Sequence, residues 1–478
     1  MRFIAIFKLL TRILYISATA LAFTIIIAII YDEPLTPFIY SSLIAGLIAT
    51  LFYLWSKGKD LEHLSKREAY FSVSFAWLFL SVLGALPYIF SGHIPNFIDA
   101  FFESVSGFTT TGSSILTDIE ALPKSILFWR SMTHWIGGIG IIVLVIIIMP
   151  SLKIGSYNLF SMESSLNEKI VPRTKSLGKR LLYIYIALTV LETIFLVLGK
   201  MPLFDSVCHA FGTVATGGFS PKNTSISDYS PYIQYVITVF MLLAGVNFSI
   251  HYFIIKRDFK NIWKNEELKL YLFIIFISGA IITAILYFDT NKTLEHAFRE
   301  AYFQVVSIIT CTGFASADYL TWPVAASILI FVLMFVGGST GSTAGGIKVA
   351  RHLMIIKNIK RVFKKSIHTK AIIPIKINGK VIKADDNISI LTFILIYLVA
   401  FVFGTLLLIF IGIDYKTSAS SIATAMGGIG PGFGKVGPVS NFASLPDIAK
   451  LIITFFMILG RLEIYTVIIL FTPSFWKK

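Results

Sequence analysis

Ten stretches of the chain are each long and apolar enough to cross a bilayer, and no other property limits the possible folds so tightly. A spanning helix needs about 20 mostly apolar residues. Runs of that kind lie near 10–30, 38–55, 69–91, 125–149, 181–199, 231–255, 268–288, 322–358, 387–413 and 447–471. In lipid every backbone polar group must be satisfied internally, so uninterrupted runs of this length belong to helices. With 14% charged residues and a mean hydropathy of +0.79, against about a quarter charged in soluble domains, the chain reads as a polytopic, all-α membrane protein. The first run follows Arg2, Lys8 and Arg12 as a signal peptide would. It is longer than a signal core, and no small-residue cleavage site precedes Asp32, so it reads as a helix.

The net charge of +15 does not point to nucleic acid, because Lys and Arg punctuate apolar runs instead of forming a patch on a polar fold. Cys208 and Cys311 lack the spacing of a metal or redox site, and no cofactor is expected.

Between the long runs lie four shorter, half-apolar segments near 97–108, 203–215, 294–310 and 416–427, each ending in a Gly-rich turn and too short to cross. Gly112, Gly218, Gly313 and Gly430 follow one another at intervals of 106, 95 and 117 residues. Thirteen positions before each stands a residue suited to begin a helix, namely Asp99, Asp205, Glu300 and Thr417. Six positions before each is a small one: Ser106, Gly212, Ser307 and Thr424. The matched offsets predict four repeats of long helix, short re-entrant helix, extended turn and long helix. The boundaries expected are an N-terminal hairpin over 1–60 and repeats over 61–150, 178–265, 266–360 and 384–478. In the fourth turn the register selects Gly430, two residues before a second candidate, Gly432.

Orientation follows from the basic residues. Of 41 Lys and Arg, 31 lie in the termini and in the segments joining one repeat to the next. Seven lie in the re-entrant segments, and the remainder are Arg130, Lys450 and Arg461. The turns are therefore expected outside and both termini in the cytosol. The bias has one sign in every repeat, so the repeats are parallel, in a pseudo-fourfold ring and not in two inverted bundles. The outer segments carry 11 acidic residues against those 7 basic ones, a weak attraction for cations at the mouth.

Non-helical backbone at membrane depth is tolerated where it is buried or lines a water-filled path. The four turns are Thr110-Thr111-Gly112, Thr216-Gly217-Gly218, Cys311-Thr312-Gly313 and Gly428-Ile429-Gly430. None has an ionisable side chain, so they offer a solute carbonyl oxygen, supplemented by Thr hydroxyls. A ring of carbonyls replacing a hydration shell is how a potassium filter works, and the C-terminal ends of the short helices favour a cation below it. The bland reading of any single turn is a tight bend or a close helix contact; four at matched offsets favour the ring.

Three further features carry charge or flexibility. Residues 337–346, GGSTGSTAGG, interrupt an inner helix, with Lys348 just beyond; no other repeat shows such a segment. It is not a phosphate loop, because Ile347 precedes Lys348 and Val349 follows, and it reads either as a flexible kink or as a mobile loop. Arg461 stands near the middle of the last run, two residues before Glu463, where it either snorkels, pairs with that Glu, or faces the pore or the loop. Arg130, with Glu103 and His134, reads as a structural group beside a pore helix. The basic run 357–383 alternates Lys and Arg with apolar residues, suited to anionic lipid or to a cytosolic partner.

The segments SGFTTTGSS (106–114), TVATGGFSP (213–221), TCTGFAS (310–316), GGIGPGFG (427–434), GGSTGSTAGGIK (337–348) and GRLEIYTVIILFTPSFW (460–476) together resemble the Trk-type potassium uptake proteins. The resemblance is to their membrane subunit TrkH, within the superfamily of potassium transporters that also holds the Ktr and HKT proteins. It covers nearly the whole chain, and the hairpin at 10–55 looks like the Trk branch. The resemblance implies potassium uptake across the cytoplasmic membrane of a prokaryote through a filter at the four turns. In the family the filter glycine of the first repeat can be serine, which is associated with sodium permeation in some plant members; here it is Gly112, as in the potassium-selective forms. It further implies that Gly337, Gly338, Gly341, Gly345, Gly346 and Lys348 belong to a gating loop, with Arg461 a barrier below the filter. A cytosolic ring subunit, TrkA, binding NAD or ATP, and a homodimer with one pore per protomer are also implied.

Two other classes fare worse. A sodium- or proton-coupled symporter needs ionisable residues at the midplane of broken helices, and apart from Arg461 the spans offer few. A sodium-permeable or ion-coupled cation symporter of the same fold stands as the alternative. A membrane enzyme needs clustered His, Asp or Glu, and the eight His are scattered.

Overall fold

The computed structural model describes residues 3–57, 65–143 and 170–477. The end of the fourth apolar run (144–149), most of the basic linker 153–180 and part of that at 57–67 lie outside the described residues. Helices α1 (Phe3–Ile30) and α2 (Thr36–Ser56) form a hairpin packed on α3. Unit one is α3 (Lys66–Phe90), the short α4 (Phe97–Phe108) and α5 (Lys124–Val143). Unit two is α6 (Ile170–Leu198), the short α7 (Leu203–Val214), α8 (Pro231–Ala244), α9 (Phe248–Ile255) and a connecting α10 (Phe259–Lys264). Unit three is α11 (Glu266–Asp289), the short α12 (Leu294–Ile309), α13 (Val324–Leu333) and α14 (Val349–Ile367). After an antiparallel ribbon of β1 (Lys376–Ile377) and β2 (Lys380–Val381), unit four is α15 (Ala384–Phe410), the short α16 (Tyr415–Gly427), α17 (Asp447–Arg461), α18 (Ile464–Ile468) and α19 (Pro473–Trp476). The ribbon turns on Asn378 and Gly379, both left-handed, as a two-residue hairpin requires. The fold is thus a nearly all-helical, polytopic membrane protein of four helix–short helix–helix units preceded by a hairpin.

Among the described residues six helices can cross a membrane on their own by length and composition, beginning at Ile6, Thr36, Arg67, Gly178, Glu266 and Ala384. The inner helices of units two, three and four cannot, which corrects the expectation that only unit three is interrupted. Pro231–Ala244 and Phe248–Ile255 meet at 100°. Gly245 caps the first, and the Asn247 side chain accepts the Ser249 amide to start the second. Asp447–Arg461 and Ile464–Phe471 meet at 115°, with Glu463 at φ +60° between them. The run 322–358 is α13, an extended loop and α14. The unit-three break is Gly-, Ser- and Thr-rich, whereas the bends of units two and four sit inside runs whose overall hydropathy is that of a single span.

The units close on one another. In packing contacts α5 meets α7, α8 meets α12, and α17 meets α4, the last reinforced by Lys450 Nζ at 2.6 Å from Asp99 Oδ1. Units three and four join where the Tyr319 hydroxyl donates to the Gly432 carbonyl at 2.8 Å.

Candidate functional site

Each short helix stops at a turn with the same backbone. The amides of Thr111, Gly217, Thr312 and Ile429 donate to the carbonyls of Ser106, Gly212, Ser307 and Thr424, at 2.9, 2.7, 2.9 and 3.0 Å. The small residues picked out in the sequence are therefore the carbonyl acceptors that fold each turn. The chain then visits the left-handed region twice, first at Thr110, Thr216, Cys311 and Gly428 (φ 50°, 55°, 57° and 68°) and then at Gly112, Gly218, Gly313 and Gly430 (φ 83°, 82°, 80° and 100°). Gly430, not Gly432, occupies the repeated geometry.

The helix starts are less uniform than the offset suggests. Asp99, Asp205 and Thr417 are third in their helices, but α12 begins a turn early, capped by Thr293, and leaves Glu300 inside the helix. There Glu300 pairs with Lys292 and His296.

The four turns form a closed ring. A Cβ on Gly112 would stand 2.2 Å from the Gly217 carbonyl oxygen, on Gly218 2.0 Å from that of Thr312, and on Gly313 1.7 Å from that of Ile429. On Gly430 it would stand 2.9 Å from that of Thr111. Every glycine thus packs on the carbonyl of the following turn, and the fourth returns to the first. Glycine is required here both for the left-handed backbone and for the approach. In the opposite turns one and three, paired hydroxyls lie behind the ring, Thr109 with Thr111 and Thr310 with Thr312, each at 2.8 Å. The four glycines, with Ser113, Arg130 and Pro431, line a recess of about 180 Å³ on one side of the ring.

Buried polar side chains nine positions before the glycines support three turns, a signal the sequence analysis missed. Glu103 accepts the Ile115 amide (3.0 Å) and the Ser114 hydroxyl (3.0 Å). His209 bonds the Ser220 hydroxyl (3.0 Å), and Gln304 donates to the Ala317 carbonyl (3.2 Å). Arg130 does more than brace one helix. Its Nε lies 2.6 Å from Glu103, its Nη1 donates to Ser220 at 2.9 Å, and its guanidinium stacks on Phe219 at 3.7 Å, so it ties turn one to turn two. His134 bonds the Gly107 carbonyl (2.8 Å), and its ring leaves Gly217 no room for a Cβ.

On the other side of the ring lies the segment 337–348. Its stems close on each other, the Gly337 amide donating to Ile347 (2.9 Å) and the Val349 amide to Gly338 (3.1 Å). Its tip reaches units two, three and four. Thr343 donates its hydroxyl to the Val214 carbonyl (3.0 Å) at the end of α7, and the Phe248 amide donates to Gly341 (3.2 Å). Gly345 packs so closely on the Gly427 carbonyl at the end of α16 that a Cβ would come within 2.1 Å, and one on Gly346 would stand 3.5 Å from Cys311 Sγ. Lys348 Nζ donates back to the Ala344 carbonyl.

Arg461 is the last residue of α17, not the middle of a span, and it does not pair with Glu463. Its Nη1 donates to Thr343 (3.0 Å) in the loop and its Nη2 to Gly137 (2.8 Å) of α5. Glu463 instead holds Arg351 at 2.6 Å, just beyond the loop. Outside the span region, Glu120 and Lys222 link the outer segments of units one and two at 3.0 Å, and the Asn223 side chain donates to Asp118. These contacts hold both carboxyls below their ordinary range, Glu120 chiefly through Lys222 and Asp118 chiefly through Asn223.

Four re-entrant units closing an uncharged ring, with a basic group and a glycine-rich segment across one side, define a membrane transport protein. The TrkH family profile, described as cation transport protein, matches residues 38–478. The potassium uptake protein TrkH of Escherichia coli K12 is 35% identical over 99% of this chain and 100% of its own. TrkH of Halomonas elongata is 36% identical over 90% and 89%. The crystal structure of the potassium transporter TrkH from Vibrio parahaemolyticus superposes with a TM-score of 0.91 at 32% identity, covering 100% of both chains. The chain belongs to the TrkH family of cation transport proteins, and so is a transporter and not an enzyme.

Proposed function

We propose that the protein takes up potassium through the ring of turns, dehydrated ions being coordinated by carbonyls of Thr110, Thr111, Gly112, Thr216, Gly217, Gly218, Cys311, Thr312, Gly313, Gly428, Ile429 and Gly430. The relatives' names supply the ion. The observation that carries the reading is the ring itself, in which four glycines each seat on the next turn's carbonyl. Backbone oxygens fixed by packing replace water at a cation without the reorganisation that mobile side chains would need. The ends of α4, α7, α12 and α16 add their negative dipole ends beneath. A coupled symporter gains no support from turns that hold no carboxylate, histidine or basic side chain.

In this reading 337–346 with Lys348 is a gate. Arg461 is a fixed positive charge that cations must pass, and its bond to Thr343 couples it to the loop's position. The expected inner-membrane location with cytosolic termini, the homodimer, the TrkA-type regulatory subunit docking on 357–383 and the five-part division of the chain belong to the same proposal. Removing 339–344 should raise potassium or rubidium flux in proteoliposomes at least several-fold. Unchanged flux would remove the gate from the account but leave the filter.

A further inference from the structure

The loop's two ends are held by one side chain from outside it. Glu267 is the second residue of α11, 1% exposed, where the first turn of a helix favours a carboxylate. Its Oε1 accepts the Thr340 amide at 2.7 Å and the Ala350 amide at 3.0 Å. These amides lie on opposite sides of the tip that touches Val214, Gly427 and Arg461. Ala350 is in the first turn of α14 and Thr340 in the loop, so neither amide has a partner guaranteed by regular structure. One oxygen bonded to both fixes the distance between the loop's entry and its exit.

We propose that Glu267 is the positioning residue that latches the intramembrane loop closed beneath the ring. The inference rests on reading that loop as a gate. For the tip to leave the ring its stems must separate or turn, and either motion breaks a charge-assisted bond in a buried site, where such bonds are strongest. The place of the latch gives it a lever. Glu266, one residue earlier, accepts Lys357 of α14 and exchanges backbone–side-chain bonds with Asn378 of the β-ribbon, at 2.8 and 2.9 Å. A displacement of the ribbon or of α14 is therefore passed to the start of α11, where the latch sits.

The test uses the full chain, purified and reconstituted, with rubidium flux and hydrogen exchange over 337–350 measured on the same preparations. In E267A, exchange at the Thr340 and Ala350 amides should rise, and rubidium leak should rise by roughly tenfold, the shift in population expected when such a bond is lost. E267Q keeps an acceptor oxygen but loses the charge and should fall between the parent and E267A in both. E267D keeps the charge but withdraws the oxygen, and should behave as E267A does; it serves if E267A does not fold. Unchanged exchange at those two amides overturns the latch, and so does an unchanged leak in E267A when deletion of 339–344 does raise flux. Exchange that rises with no change in flux in either E267A or the deletion instead overturns the gate on which the latch depends.

Discussion

At the residue scale the structure separates glycines that resemble one another in the sequence. Gly430 combines φ +100° with a Cβ position 2.9 Å from the Thr111 oxygen, whereas at Gly428 the nearest atom to a Cβ is Thr110 O at 3.8 Å. The equivalents of Gly428 are Thr110, Thr216 and Cys311, each left-handed with a side chain. G428A therefore meets only the left-handed strain of about 1–2 kcal/mol and should keep selective transport. G430A should lose potassium-over-sodium selectivity in the same flux assay. A different argument applies to the pair of Arg130 and Glu103. Both are buried, and breaking such a pair by removing one partner costs about 3–5 kcal/mol. E103A should thus lower thermal stability in detergent by more than a surface substitution such as K435A does. What the sequence disclosed here was residue type at fixed offsets. It could not disclose Glu267, whose bonds go to main-chain amides 73 and 83 residues away, because a main-chain partner leaves no mark on the sequence.

At the element scale the short helices and their turns were legible because glycine and small residues are needed at defined positions for backbone reasons. The repeated carbonyl acceptors at Ser106, Gly212, Ser307 and Thr424 give the physical cause of that pattern. The bends at 245–247 and 462–463 were not legible, since each lies inside a run whose summed hydropathy is that of one span, the capping group at Asn247 is a single side chain, and Arg461 and Glu463 read equally well as an ion pair within a straight helix. The role of Arg461 changed with the second bend: placed at a helix end, it reaches both α5 and the loop tip. R461A should raise rubidium leak, and the effect should be non-additive with deletion of 339–344, because the Thr343 contact is lost in both. Equal and additive effects would place the arginine's action elsewhere. The outer segments of units one and two offer a pH test. Their carboxyls are held below the ordinary range by Lys222 and Asn223. A lowered folded-state value gives stabilisation present at neutral pH and lost as pH falls through that value. Exchange over 116–124 should therefore increase on acidification and, because the Glu120–Lys222 pair is exposed, also in high salt. K222A should blunt the salt effect.

At the scale of the whole molecule, the charge distribution and the fold express one arrangement. Basic residues concentrate in the segments that join one unit to the next, and the ring contains none of them. Units one to four follow one another around the ring in chain order, each glycine seated on the next turn, so the pseudo-fourfold arrangement inferred from the uniform charge bias has a backbone counterpart. The loop and Arg461 together contact every unit, and in the proposed function that puts them where one movement affects the whole path. The claim on which the account turns is that the carbonyls packed by Gly112, Gly218, Gly313 and Gly430 select the ion. It is tested most directly by measuring potassium and sodium flux in proteoliposomes for the parent chain, G112S and G313S. The account predicts a parent that passes potassium in large preference to sodium, and a preference that collapses in both variants, because each added Cβ displaces a carbonyl of the adjoining turn. Selectivity unchanged in both would contradict it.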